Sequence, residues 1–141
     1  MAPELSLGKG DDFSARLGRL EALLDAIPAP LAVLDAASSS LVLTNRRFVE
    51  LTGVDASTGR PPTFRQAFPS TDLDVREAIA EARQGQIQRA LRITVRNGPR
   101  MRVLEAVFRA LGDERPSPEV VFGAVDVTVR EQLRENLAHL V

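Results

Sequence analysis

The chain holds 141 residues, 44% of them hydrophobic and 26% charged, with 18 basic against 19 acidic side chains and a formal net charge of −1. That length bounds one domain with one modest core, the apolar fraction argues for a folded protein, and the charge balance gives no general attraction to nucleic acid or an anionic membrane. The lack of Cys excludes disulfides, thiolate nucleophiles and cysteine metal sites, and the single imidazole, His139, is a poor basis for histidine chemistry.

The start, "MAPELSLGKGDDFSARL", lacks the apolar core of a signal peptide, and no apolar run approaches the roughly 20 residues that span a bilayer. A cytoplasmic location with no membrane contact by this segment is therefore expected. Lys9 is the only lysine, which together with the many alanines hints at a GC-rich bacterial genome. Residues 1–12 are small, polar and glycine-bearing and read as a flexible tail.

Phe13, Leu17, Leu20, Leu24 and Ile27 recur at three- and four-residue steps, which predicts an amphipathic helix over 13–27 that Pro28 stops. "PLAVLD" (30–35) and "LVLTN" (41–45) are strand-length apolar runs around the small polar turn "AASSS", and they predict a hairpin. "NRRFVELTG" follows with Asn45 as N-cap and Gly53 as C-terminal stop of a short helix. Gly59, Pro61, Pro62 and Pro69 break the next stretch into loop, with Phe64 and Phe68 four apart on one helical turn. "TDLDVREAIAEARQG" carries Val75, Ala78, Ile79 and Ala82 on one face, cap candidates at Ser70, Thr71 and Asp72, and Gly85 as a stop.

The period then changes to two. Leu91, Ile93 and Val95 alternate with Arg92, Thr94 and Arg96, and Asn97-Gly98 predicts a hairpin turn into "RMRVLEAVFRAL". "EVVFGAVDVT" is apolar on both parities, as a central strand is, with Gly123 permitting a close approach. A last helix from Thr128 carries Val129, Leu133, Leu137 and Leu140 on one stripe, and Thr128 with Glu131 spells T-x-x-E, a capping box. Segregated strands and helices make the fold α+β with an antiparallel sheet.

That order, with "LLDAIPAPLAVLD", "LVLTNRRFVELTG" and "GAVDVTVREQL", resembles the PAS domains of bacterial signalling proteins over about residues 20 to 135. The most specific piece is the end: Asp126, Val127, Thr128 and Arg130 match the Asp-Ile/Val-Thr triplet and charged helix with which PAS domains close, while Val129 replaces the usual acidic residue. Asn45, Phe48 and Gly53 match the segment after the second strand, although Arg46 and Arg47 stand where smaller residues are common.

The resemblance implies a PAS-like five-stranded antiparallel sheet with helices on one side, an N-terminal cap helix (13–27), a sensor core (28–128) and a C-terminal signalling or linker helix (129–141). It implies a non-enzymatic sensory and relay module, a homodimer, and a downstream output domain, a histidine kinase of a two-component system first. On that footing Asp126, Thr128, Arg130 and Glu131 form the signal junction. Pocket candidates are Val33, Phe48, Leu51, Phe64, Ile79, Leu91, Ile93, Val95 and Phe122, and dimer candidates Leu17, Leu20, Leu24, Leu133 and Leu137. Light-oxygen-voltage members use a flavin-reactive cysteine and haem-binding members a histidine on the long helix before the third strand; this chain offers neither. No resident cofactor is expected, haem and covalent flavin photochemistry are disfavoured, and a non-covalent small ligand stays open.

Other readings weigh less. Arg89, Arg92, Arg96, Arg100, Arg102 and Arg109 cluster on the second hairpin, but with no Tyr or Trp interleaved to stack bases they describe a solvated sheet face. Asp72 and Asp74, or Glu131 and Glu135, have no His, Cys or Lys beside them to complete an acid/base set. The runner-up functions are a ligand-free interaction and dimerisation adaptor and, further off, a small α+β cone enzyme, for which the strands offer only Glu105 and Asp126.

Overall fold

The computed structural model describes residues 14–16, 18–57, 59–69, 72–86 and 90–139. Backbone is helical at 14–16 and at 18–26 (α1). There follow β1 (Leu31–Asp35), β2 (Leu41–Thr44), α2 (Arg46–Thr52), α3 (Phe64–Ala67), α4 (Asp72–Arg83), β3 (Leu91–Asn97), β4 (Arg100–Ala110), β5 (Glu119–Asp126) and α5 (Thr128–His139). The predicted order of elements holds throughout the described residues. Phe13, Leu17, Ser70, Thr71, Arg89, Leu140 and the proposed tail lie outside them.

The strands form one five-stranded sheet in the order β2-β1-β5-β4-β3. Every neighbouring pair is antiparallel. β5, the strand apolar on both parities, is indeed the middle one, hydrogen-bonded to β1 on one side and β4 on the other. The β3–β4 turn is the predicted Asn97-Gly98 hairpin, with Gly98 at φ 63° supplying the left-handed conformation that such a turn needs. At Gly123 a Cβ would come within 3.2 Å of Leu31 Cδ2, so the side-chain-free position lets β1 lie close across β5.

Alternation fixes the faces. Ala32 and Leu34 of β1, Ile93 and Val95 of β3, Leu104, Ala106 and Phe108 of β4, and Val120, Phe122 and Ala124 of β5 are buried on the inner face. Helices α2, α3 and α4 cover that face with Phe48, Phe64, Phe68, Val75, Ile79 and Ala82. Asn45 caps α2 by accepting the N–H of Phe48, and Gly53 (φ 73°) ends it, returning its N–H to Val49 O. α3 is held by a capping box in which Thr63 and Gln66 exchange side-chain and backbone bonds. On the other face of the sheet, Val107 and Val125 are exposed.

Candidate functional site

The interior that the pocket candidates were expected to line is filled by phenylalanine. Phe122, at the centre of β5, has its ring centroid 5.8 Å from Phe48, 5.1 Å from Phe64, 5.5 Å from Phe68 and 5.4 Å from Phe108. The Phe48 contact is edge-on, with planes at 84°, the arrangement that ring quadrupoles favour. Phe48, Phe64, Ile79, Ile93, Val95 and Phe122 all belong to this buried cluster, and Leu51 and Leu91 pack partly buried against it. Val33 does not. It pairs with Leu43 and Val121 on the opposite face, because β1 turns Ala32 and Leu34 inward instead. Ala32 stands directly across from Phe122, so the small residue leaves room for the large ring.

The four junction residues do come together, at the root of α5, but with different bonds from those the T-x-x-E spacing predicts. Val127 O, not the Thr128 side chain, takes the N–H of Glu131 at 2.9 Å. The Thr128 hydroxyl accepts the Val103 N–H at 2.9 Å and donates to Asp126 Oδ1. Asp126 Oδ1 also accepts the Thr128 N–H at 2.9 Å, so it is the aspartate, two residues back, that satisfies the first orphan donor of the helix. Val127 N–H donates to Val103 O at 2.8 Å. The helix root is therefore bonded at two points to the backbone of β4.

The capping box fails because Glu131 is drawn elsewhere. Its Oε1 lies 2.8 Å from Arg92 Nη2 on β3, 3.4 Å from Arg130 Nη2 and 3.6 Å from Arg134 Nη1. Arg130 in turn donates to Glu105 on β4. That hydrogen bond holds the Glu105 carboxyl below its ordinary value and, from the other side, raises the Arg130 guanidinium. Arg102 Nη1 stands 3.6 Å from Asp126 Oδ2. Arg92 on β3 and Glu105 on β4 thus grip the first turn of α5 from the outer face of the sheet. The apolar stripe of the helix is bare: Val129, Leu133 and Leu137 are 66%, 57% and 63% exposed.

At the other end of the domain Asn45 does more than cap α2. It is 1% exposed. Its Oδ1 accepts the N–H groups of Phe48 and Leu31, at 3.0 and 2.9 Å. Its Nδ2 donates to Leu24 O at 3.0 Å and Ala29 O at 2.8 Å. The Arg46 N–H donates to Asp25 Oδ1 at 2.8 Å. One buried amide thus ties the end of α1 to β1 and α2. Of the dimer candidates on α1, Leu20 is exposed and Leu24 partly buried.

Sequence reasoning placed Asp126, Thr128, Arg130 and Glu131 at the junction, but it read Arg92 and Arg102 as a solvated sheet face and did not connect Val103 or Glu105 with the helix root. The signal for two of these was present: Arg92 and Glu105 fall on the polar parity of the second hairpin and pair directly across it. Among the described residues no group of three or more His, Cys, Asp or Glu could hold a metal, and no helix is long and apolar enough to cross a membrane.

Comparison with known proteins agrees with this architecture. Residues 18–86 match a family model described as a PAS domain. The PAS domain of an HTR-like protein from Haloarcula marismortui superposes with a TM-score of 0.59 at 19% identity, covering 80% of this chain and 98% of that one. The LOV protein of Rhodobacter sphaeroides gives 0.55 at 18% identity, covering 80% and 67%. The PAS domain of Bordetella pertussis BvgS gives 0.50 at 21% identity, covering 89% and 96%. A search of curated proteins finds no match. With residues 18–86 matching that family model and the same five-stranded antiparallel architecture in the solved structures, the fold of this chain is PAS-like.

Proposed function

We propose that the chain is a signal-relay and dimerisation module of a bacterial signal-transduction protein, acting in the cytoplasm on a downstream output domain, a histidine kinase first. The observation that carries this reading is the root of α5. Thr128 and Asp126 fix where the helix begins, and Arg92 and Arg130 fix it laterally to the sheet. Beyond that grip the stripe of Leu133 and Leu137 meets no core. A helix held rigidly at its base and bare along its length passes on a displacement of the sheet, and its stripe is buried when it pairs with a second copy.

The test is to replace Leu133 and Leu137 with Arg in the protein that carries this domain. Sedimentation should show weakened self-association, and the output activity should change with it. Lost association with unaltered output would reject the relay.

A second reading, an interaction domain that takes no ligand in its interior, is favoured by the ring cluster around Phe122. Mass spectrometry and an absorption spectrum of the purified protein separate the two. A co-purifying interior ligand would reject the second reading.

A further inference from the structure

Between α2 and the end of the sheet lies a pocket of about 250 Å³ that touches the junction from the side opposite Glu131. Its walls carry Arg47 and Glu50 from α2, Arg102 from β4 and Asp126 from β5, set around Leu51 and Leu104. We propose that this pocket binds a small zwitterion, an apolar α-amino acid, and that occupancy shifts the root of α5. The second half rests on the relay function proposed above; the first does not.

The charges argue for the ligand class. Two cations and two anions face one small space, in two pairs that are both loose: Arg47 Nη1 to Glu50 Oε2 is 3.4 Å and Arg102 Nη1 to Asp126 Oδ2 is 3.6 Å. A tight charge-assisted bond is about 2.7–2.9 Å, so each pair retains bonding capacity that a ligand can use. Asp126 Oδ1 is committed to Thr128, which leaves Oδ2 for Arg102 and the pocket. Among the described residues Arg102 makes no other ion pair.

A ligand with one charge would satisfy one member of each pair and repel the other. A ligand with a carboxylate and an ammonium on adjacent atoms satisfies both. The volume lies just under the roughly 300 Å³ at which drug-sized sites begin, which suits a single amino acid, and Pro28 with the partly buried Leu51 offers its side chain an apolar wall.

Asp126 supplies the coupling. One oxygen of its carboxylate faces the pocket pair and the other caps α5. A ligand ammonium that draws Asp126 toward the pocket pulls on the Thr128 N–H and hydroxyl, and through that hydroxyl on Val103.

The experiment is a titration of the isotope-labelled chain by two-dimensional NMR with L-leucine, and in parallel with isocaproate, which lacks the ammonium, and isoamylamine, which lacks the carboxylate. L-leucine should give saturable shifts at Arg47, Leu51, Arg102 and Asp126, with both analogues about tenfold weaker or more. Arg102→Gln and Glu50→Gln, each confirmed as folded by circular dichroism, should each weaken binding about tenfold. Shifts that do not saturate, an equal response to all three molecules, or folded variants that bind as well as the parent would overturn the site. Saturable binding that leaves the amides of Thr128 to Leu133 unmoved would overturn the coupling alone. Binding that moves those amides without altering the output of the parent protein would instead count against the relay function.

Discussion

The hydroxyl of Thr128 accepts the backbone N–H of Val103 at 2.9 Å, so the first residue of α5 and the interior of β4 share one oxygen across 25 positions of sequence. Thr128 is 8% exposed, so its hydroxyl is largely shielded from solvent. Thr128→Ala leaves the Val103 N–H unpaired and frees Asp126 Oδ1 of one donor, a loss of about 1–3 kcal/mol. Denaturation followed by far-ultraviolet circular dichroism reads it, since the chain has no Trp or Tyr for fluorescence. Thr128→Ser should keep most of the stability. The junction role that the resemblance to PAS domains implies for Thr128 predicts a change in output larger than the change in stability. The bond to β4 implies a change in both, and full stability in the alanine variant would show that the hydroxyl is not engaged.

Asn45 concentrates more of the fold on one side chain than its capping role requires. Both amide protons and the carbonyl oxygen are used, to Leu24, Ala29, Leu31 and Phe48. Asn45→Ala should therefore cost about 3 kcal/mol or more, above the roughly 1 kcal/mol of an exposed N-cap. Asn45→Asp tests the geometry more sharply. It keeps an acceptor for Phe48 and Leu31 but offers no donor to the Leu24 and Ala29 carbonyls, so amide exchange should rise at the end of α1 while α2 stays capped. Protection lost equally in both helices would contradict this division of roles.

What the sequence made legible, and what it did not, divides along contact distance. The alternation of Leu91, Ile93 and Val95, the Asn97-Gly98 turn, the Asn45 cap and the Gly53 stop are local signals, and each is found where its spacing puts it. β1 was ambiguous because both of its parities are apolar. Only the partner strand, which sets Ala32 against Phe122, decides that Val33 faces away from the helices. The capping box at Thr128 and Glu131 was a sound local expectation that lost to distant partners, Val103 for the hydroxyl and Arg92, 39 positions away, for the carboxylate. The interior looked like a pocket on family grounds. That the phenylalanines of four separate elements and a loop edge would meet ring to ring could be read only from the assembled sheet.

The Glu105–Arg130 pair gives the junction a dependence on pH and salt. The Arg130 hydrogen bond holds the Glu105 carboxyl below its ordinary value of 4.5, with the Arg130 charge adding to the effect and partial burial opposing it. A carboxyl with a lower pKa folded than unfolded contributes stability that is complete above the unfolded value and disappears as pH falls through the folded one. The loss therefore falls below pH 4.5. The pair is partly exposed, so salt should weaken it. Titration of the Glu105 carboxyl by NMR should show the depression, and Arg130→Gln should bring it back toward 4.5. A titration unmoved by that substitution would mean that the grip on α5 comes from Arg92 and Thr128 alone.

Phe122 is the residue on which the choice between a filled and an open interior turns. It touches the rings of Phe48, Phe64, Phe68 and Phe108 and is 0% exposed. Phe122→Ala removes the ring that the other four share, a change that in cores costs about 3–5 kcal/mol, with the cost set by how far the neighbours collapse into the space. The neighbours here are rings on α2, α3 and the sheet, held by backbone that cannot follow a missing side chain inward, so a cavity should remain. A dry apolar cavity of that kind takes up small apolar molecules. Benzene should therefore raise the unfolding midpoint of Phe122→Ala and leave that of the parent unchanged, because the parent's own ring already occupies the site. An equal rise in the parent would mean that the interior is open in solution and that a ligand bound there, rather than at the surface, is the domain's input.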